Sequence, residues 1–424
     1  MTKLTLFKTS ALSGMENLVK LLLGLAIIKM IAFSYGPNGM ALFGQFQNMY
    51  AATIAIASGM LVTGGVRYTA QYHDAPGEMN LFLNEAMFFS VLVTSLLSLI
   101  CLSLAQELSI VIFARPDFAG VFRMLSVCLI FMTLNIFTLS VLNGMGLIRR
   151  FILSKILLSL FLIAGSVLTI WLYDIKTFFY VYILINAAGF LIVAAFMRRI
   201  FDYNPVQFWA NWKAVWRSRL FSFWLMALAG VISTPLVMSV TRYIIVNALG
   251  IESAGYWDAI TRFTELYLVI ITGAMLTYYI PKLGRCHTVR ETKNLVYTIC
   301  GFAVAVSMPI TLFIYFFRHF LVRLVLDDSF MVTTDYFGIA LIGSIFKIVS
   351  WVFSYYLIAK SKVRAFLFFE LVFGMLLVLQ TWIMTPHFGL YGVFYASVIN
   401  SALFCLCVYI FFVKEMRCMG NVHG

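Results

Sequence analysis

Residues 120–144 read GVFRMLSVCLIFMTLNIFTLSVLNG, a stretch in which Arg123 is the one charge and glycine stands only at the two ends. As an α-helix rising 1.5 Å per residue it is ~37 Å long, more than the ~30 Å of bilayer hydrocarbon. Working outward, runs of the same kind lie at 10–34, 40–64, 82–104, 151–173 and 177–197. A second set follows at 220–246, 257–279, 295–317, 335–358, 365–385 and 388–412. The expectation is an all-α polytopic membrane protein, with twelve transmembrane helices in two six-helix lobes around a central cavity. Residues 1–197 form the N-terminal lobe, 198–219 a cytoplasmic amphipathic linker and 220–424 the C-terminal lobe.

Composition agrees with that reading. Of 424 residues, 62% are apolar and 11% charged, and mean hydropathy is +0.97; a soluble domain runs at about 45–50% and about 25%. A soluble fold with one anchor, a disordered chain and a secreted disulfide scaffold are all excluded. Twelve spans use up the length, so no soluble catalytic domain fits beside them. Lys3 and Lys8 precede the first span as in a signal peptide, but Glu16 and Lys20 interrupt it, and it is read as the first helix.

Basic residues set the direction. Of 30 Lys and Arg, seven lie within spans (Lys20, Lys29, Arg123, Lys155, Arg242, Arg262 and Lys347) and four on one side (Arg115, Lys176, Arg318 and Arg323), leaving 19 on the other. By the positive-inside rule, both termini are cytoplasmic in a bacterial inner membrane. The same placement explains the net charge of +13 without a nucleic-acid partner. The linker, with Phe208, Trp209, Trp212 and Trp216 among basic residues, suits the anionic headgroup layer.

The two halves echo each other: Tyr35-Gly36-Pro37 after the first span is matched by Leu249-Gly250 after the seventh, an offset of 214 residues (250 less 36). Proline at 235 and 309 marks candidate kinks in the seventh and ninth spans.

Chemistry of the enzymatic kind is absent from the sequence. There is no GxxxxGK[ST], HExxH or GxSxG, the five His are scattered, and the seven Cys include no CxxC. The chain is read as no enzyme, with no cofactor and no metal site. What remains is charge inside the membrane, costly enough at about 2.5–3.5 kcal/mol per residue that each one needs a partner or a wet cavity. Glu16 and Lys20 form an i,i+4 pair, as do Asp258 and Arg262, with Glu265 continuing the stripe. Arg242, Lys347 and Glu370 have no partner within a turn. Lys20, Arg242, Arg262 and Lys347 are the candidate binding residues for an anionic head group, and Glu16, Asp258, Glu265 and Glu370 their charge partners or ion-coupling acids.

Several helix ends look familiar. Gly65-Val66-Arg67 with Ala70-Gln71-Tyr72-His73-Asp74, Tyr279-Ile280-Pro281-Lys282-Leu283, Phe346-Lys347-Ile348 and Tyr356-Leu357-Ile358-Ala359-Lys360 resemble the Wzx-type flippases. These are the O-antigen and lipid III translocases of the multidrug/oligosaccharidyl-lipid/polysaccharide exporter superfamily. The resemblance implies flipping of an undecaprenyl-diphosphate-linked oligosaccharide, first of all an O-antigen unit, by alternating access. Membrane lipids and the pathway's glycan polymerase and chain-length regulator are its implied partners. The alternative within the superfamily is ion-coupled export of drugs or organic cations. That activity favours acidic site residues, and the cations here argue for a phosphorylated substrate.

Overall fold

The computed structural model describes residues 3–61, 75–197, 232–274, 288–360 and 362–422, with positions 65, 69, 72, 279, 282, 283 and 286 between them. The expected linker 198–219 and most of the Gly65–Asp74 motif lie outside the described residues.

Among the described residues every regular element is helical. They are α1 (Lys3–Met60), α2 (Pro76–Ser103), α3 (Ala105–Phe113), α4 (Ala119–Gly144), α5 (Ile148–Leu172), α6 (Ile175–Met197), α7 (Val237–Leu249), α8 (Ile251–Ala274), α9 (Val289–Phe316), α10 (Arg318–Val325), α11 (Phe337–Ala359), α12 (Val363–Phe388) and α13 (Leu390–Val422). Eight of these regions are long and apolar enough to cross a bilayer. α8 is also long enough but carries Glu252, Asp258, Arg262 and Glu265 and is not among the eight. Each of the twelve expected spans lies mainly on helix over its described part, the first two joined in α1, with the expected twelfth, 388–412, crossing the break at Gly389 between α12 and α13. Large apolar side chains such as Leu160, Phe161 and Trp171 on α5 and Phe313 and Phe316 on α9 are exposed, faces that hydrocarbon covers in a membrane protein.

The repeat heard in the sequence is present in the backbone. Gly36, inside α1, has φ 61° and ψ −159°; Gly250, between α7 and α8, has φ 88° and ψ 166°. Both take a left-handed φ that costs glycine little, and each ends one helix and redirects the chain into the next. Later elements keep the interval: α9 starts 213 residues after α2 (289 less 76), α10 starts 213 after α3 (318 less 105), and α12 and α13 start 215 after α5 and α6 (363 less 148, 390 less 175). The short helices α3 and α10, each followed by a 3-10 turn at Pro116–Phe118 and Asp328–Asp335, stand where the sequence suggested only loops. Pro235 falls in a π-helical turn, Ile232–Leu236, that opens α7, whereas Pro309 is carried within α9.

The chain divides into two compact units, Met1–Ser34 with Gln45–Pro235, and Tyr35–Gly44 with Leu236–Gly424. This division differs from the expected one in two places: it falls after Pro235 rather than at 219, and a ten-residue segment of α1 packs with the C-terminal unit. Its anchor is a backbone contact, since a Cβ on Gly255 would overlap the carbonyl of Pro37. In the N-terminal unit Leu83, Ala86, Phe89, Leu142 and Val193 share a core, and Phe46 stacks on Phe179 at 4.2 Å. In the C-terminal unit Phe412 of α13 meets Phe353 and Tyr356 of α11 at 5.5 and 4.9 Å.

Candidate functional site

Helical spacing puts Asp258, Arg262 and Glu265 on one face of α8, and burial falls along that face. The Asp258 side chain is 7% exposed, Arg262 18% and Glu265 47%. The turn at Gly250 folds α7 back beside α8 and brings Arg242, sixteen residues away in sequence, onto the same carboxylate. Arg242 Nη2 donates to Asp258 Oδ1, and Arg262 Nη2 lies 3.6 Å from Asp258 Oδ2. Two guanidinium groups therefore share one buried carboxylate.

Aromatic rings close around this triad. Arg242 lies 5.4 Å from the Trp257 ring and Arg262 4.9 Å from that of Phe43, distances at which the π-face attracts a cation. The floor is Gly44, where a Cβ would collide with the Asp258 carboxylate and Arg242. Gly44 stands 214 residues before Asp258 (258 less 44), the same interval that separates Gly36 from Gly250. One repeat carries the acid, and the other carries the gap that admits it.

Lys347 on α11 continues the line. Its Nζ is 3.9 Å from Glu265 Oε1 and 5.3 Å from the Trp351 ring, and it interacts electrostatically with Glu370 on α12. Six of the eight candidates, Arg242, Asp258, Arg262, Glu265, Lys347 and Glu370, are thus gathered in the C-terminal unit as alternating charges. The other two, Glu16 and Lys20, are on α1, with side chains outside the described residues. The six consist of three cations and three acids, so the expected basic excess is not a property of this cluster. It is local to a pocket beside it, formed by α7, α8, α11, α12 and α13, where Lys347 is the one ionisable side chain among the described lining residues.

Other span charges behave as surface groups. Lys29 and Arg123 are exposed, and Lys155 is half-buried with its ammonium 4.9 Å from the Phe151 ring. Two of the motif residues at the helix ends hold structure together. The Tyr279 hydroxyl donates to the Val352 carbonyl at 3.1 Å, and Lys360 Nζ to that of Cys286 at 2.9 Å. Among the described residues no group of His, Cys, Asp and Glu could hold a metal ion, and the seven cysteines are free.

No protein-family model matches the chain. Two curated proteins named lipid III flippase, from Escherichia coli (strain K12) and Shigella flexneri, are each 24% identical to it over 423 residues, covering 98% of this chain and 100% of their own length. Among solved structures, the inward-facing conformation of a multidrug resistance MATE-family transporter of the MOP superfamily matches with a TM-score of 0.81 at 16% identity, over 95% of this chain and 96% of that one. Its outward-facing conformation gives 0.70, at 16% identity over 97% and 94%. A MOP-superfamily transporter from Pyrococcus furiosus, described as having a binding pocket of reverse polarity, gives 0.69 at the same identity and coverage. The chain has the twelve-helix, two-lobe fold of these transporters. The likeness seen at the helix ends extends along its full length, and the proteins it resembles are transporters, not enzymes.

Proposed function

We propose that this chain is a flippase for an undecaprenyl-diphosphate-linked oligosaccharide repeat unit, an O-antigen or similar unit. It carries the unit from the cytoplasmic to the periplasmic leaflet of a bacterial inner membrane by alternating access. The observation that carries the reading is end-to-end similarity to proteins named lipid III flippase.

The chemistry of the C-terminal unit supports it. A diphosphate entering low dielectric without counter-charge meets a desolvation penalty of several kcal/mol per ion or more. Lys347 and Arg262 are the partly exposed cations of the cluster, at 34% and 18%. Charge-assisted bonds from these two to phosphate oxygens replace the lost hydration. Arg242, 3% exposed, acts one step back, holding Asp258 so that the carboxylate orients Arg262. Glu265 is the counter-charge that the diphosphate displaces from Lys347. Lys20 and Glu16 stay in the proposal on the sequence argument alone.

The second reading, export of organic cations, draws on the multidrug transporters that share the fold and on Glu265 and Glu370 near the pocket. Against it, the described pocket lining includes an ammonium and no carboxylate, a polarity that repels a cation. The test is transport in proteoliposomes. Wild-type protein should deliver a labelled undecaprenyl-diphosphate oligosaccharide to the opposite leaflet, and it should restore surface glycan in a strain that accumulates the lipid-linked unit. Resistance to organic cations without glycan rescue would assign the chain to drug export.

A further inference from the structure

The pocket beside the charge cluster has a composition that the flippase reading leaves unexplained. Hydroxyls enter it from five helices: Thr241 on α7, Thr264 on α8, Ser344 on α11, Thr381 on α12 and Ser397 on α13. Thr264 and Ser344 donate to carbonyls of their own helices, at 2.8 and 2.6 Å, the usual resting state of a hydroxyl in a helix. Thr241 and Thr381 differ. Their side chains are 2% and 0% exposed, and neither hydroxyl has a hydrogen-bond partner among the described residues. Buried hydroxyls are normally satisfied, and two orphans on two neighbouring helices of one pocket mark a place where a polar guest supplies the partners. The pocket holds about 70 Å³ and is partly open, so it takes one edge of a small polar ring rather than a whole ligand of the kind that fills a ~300–1,000 Å³ site. Of these lining residues Thr381 and Thr241 are buried, whereas the Lys347 side chain is 34% exposed.

Each hydroxyl can donate and accept, which suits a guest that does both at many positions, and the one charge among the described lining residues suits an anion joined to it. We infer that this pocket receives one edge of the sugar attached to the diphosphate, with Lys347 on the adjoining phosphate and Thr241 and Thr381 hydrogen-bonded to hydroxyls on that edge. The inference rests on the flippase reading and deepens it. It makes the C-terminal unit a reader of the first sugar as well as a carrier of the phosphate.

Thr241→Val and Thr381→Val keep the shape of the side chains and remove the orphaned atoms, so the double variant should fold as well as the wild type or better. Two probes are compared in proteoliposomes: undecaprenyl diphosphate bearing one hexose, and bare undecaprenyl diphosphate. The double variant should lower the ratio of hexose-bearing to bare carrier moved by about tenfold relative to wild type, the loss of one to two hydrogen bonds. Ser397→Ala, on a third helix, should lower the same ratio by a smaller factor. In detergent, glucose 1-phosphate should raise the unfolding temperature of wild type more than inorganic phosphate does, and the double variant should lose that difference. An unchanged ratio in a wild type that moves both carriers would overturn the sugar seat and leave the flippase reading intact. A wild type that moves neither carrier would overturn both.

Discussion

Asp258 and Lys347 are both charges inside the membrane region, yet their surroundings assign them opposite sensitivities. Asp258 is the one carboxylate between two guanidinium groups, and Arg242 is 3% exposed. Asp258→Asn leaves those cations buried without compensation, a change that costs about 3–5 kcal/mol. The expected outcome is a fall in the yield of monodisperse protein and in its unfolding temperature, before transport is considered. Lys347 meets Glu265 at 3.9 Å with both side chains a third or more exposed, a geometry worth only about 0–1 kcal/mol. Lys347→Ala should therefore fold normally and fail in flipping, and Lys347→Arg should retain most transport. If a Lys347→Glu, Glu370→Lys double variant recovers both yield and transport, the pair is structural and the phosphate role of Lys347 is wrong. The sequence made part of this legible. Asp258 and Arg262 are a turn apart and pair by helix geometry alone. Arg242 is joined to them only through the turn at Gly250, and one-dimensional spacing does not show a partner sixteen residues away. The orphaned hydroxyls were invisible for another reason: Thr and Ser are ordinary in membrane helices, and only the folded pocket shows which two lack a carbonyl to bond.

At the scale of elements, apolar run length located the long helices, because a span must satisfy its backbone internally and remain apolar for its whole length. It did not locate α3 and α10, which are too short to register as spans. Nor did it show that Tyr35–Gly44 packs with the C-terminal unit, a fact set by close backbone approach at Gly44 and Gly255. Two glycines of α1 give a controlled test. A Cβ at Gly44 falls on the Asp258 carboxylate, whereas one at Gly24 has nothing within 4 Å. Gly44→Ala should destabilise by about 1–3 kcal/mol, as overpacking does. Gly24→Ala should be neutral or stabilise by up to about 1 kcal/mol through helix propensity. Thermal unfolding of the two variants in one detergent makes the comparison. A pH effect belongs to α6, whose first turn is held by Asp174: its Oδ1 accepts from the Thr177 amide at 3.0 Å and hydroxyl at 2.6 Å. The hydroxyl bond foremost, with the amide and Lys176 adding to it, holds the Asp174 carboxyl below the usual carboxylate range. A depressed acid stabilises the fold above its unfolded value of about 3.9 and loses that contribution as pH falls through its folded one. Asp174→Ala should therefore cost about 1 kcal/mol at neutral pH, and the gap from wild type should close in acid. A gap independent of pH would show that the cap is not the cause.

Over the whole molecule, direction follows from charge, since the helices themselves read equally well from either side. Nineteen basic residues assigned to one face against four on the other is an asymmetry that a few altered residues do not reverse. Twelve crossings return the chain to its starting side, so in the orientation proposed from this asymmetry both termini are cytoplasmic and the Gly36 turn is outside. Asn38, just past that turn, is exposed, and so is Arg150 at the start of α5, on the face assigned to the cytoplasm. In a background with the seven native cysteines replaced, Asn38→Cys should react with a membrane-impermeant maleimide on intact spheroplasts. Arg150→Cys should react only after permeabilisation, and losing that one arginine still leaves eighteen against four. A reporter fused after Gly424 should be active in its cytoplasmic form. The reverse labelling pattern would invert every loop and with it the direction of transport: the side from which the diphosphate reaches Lys347 and Arg262 would become the periplasm, and a lipid-linked unit assembled in the cytoplasm could not be the cargo.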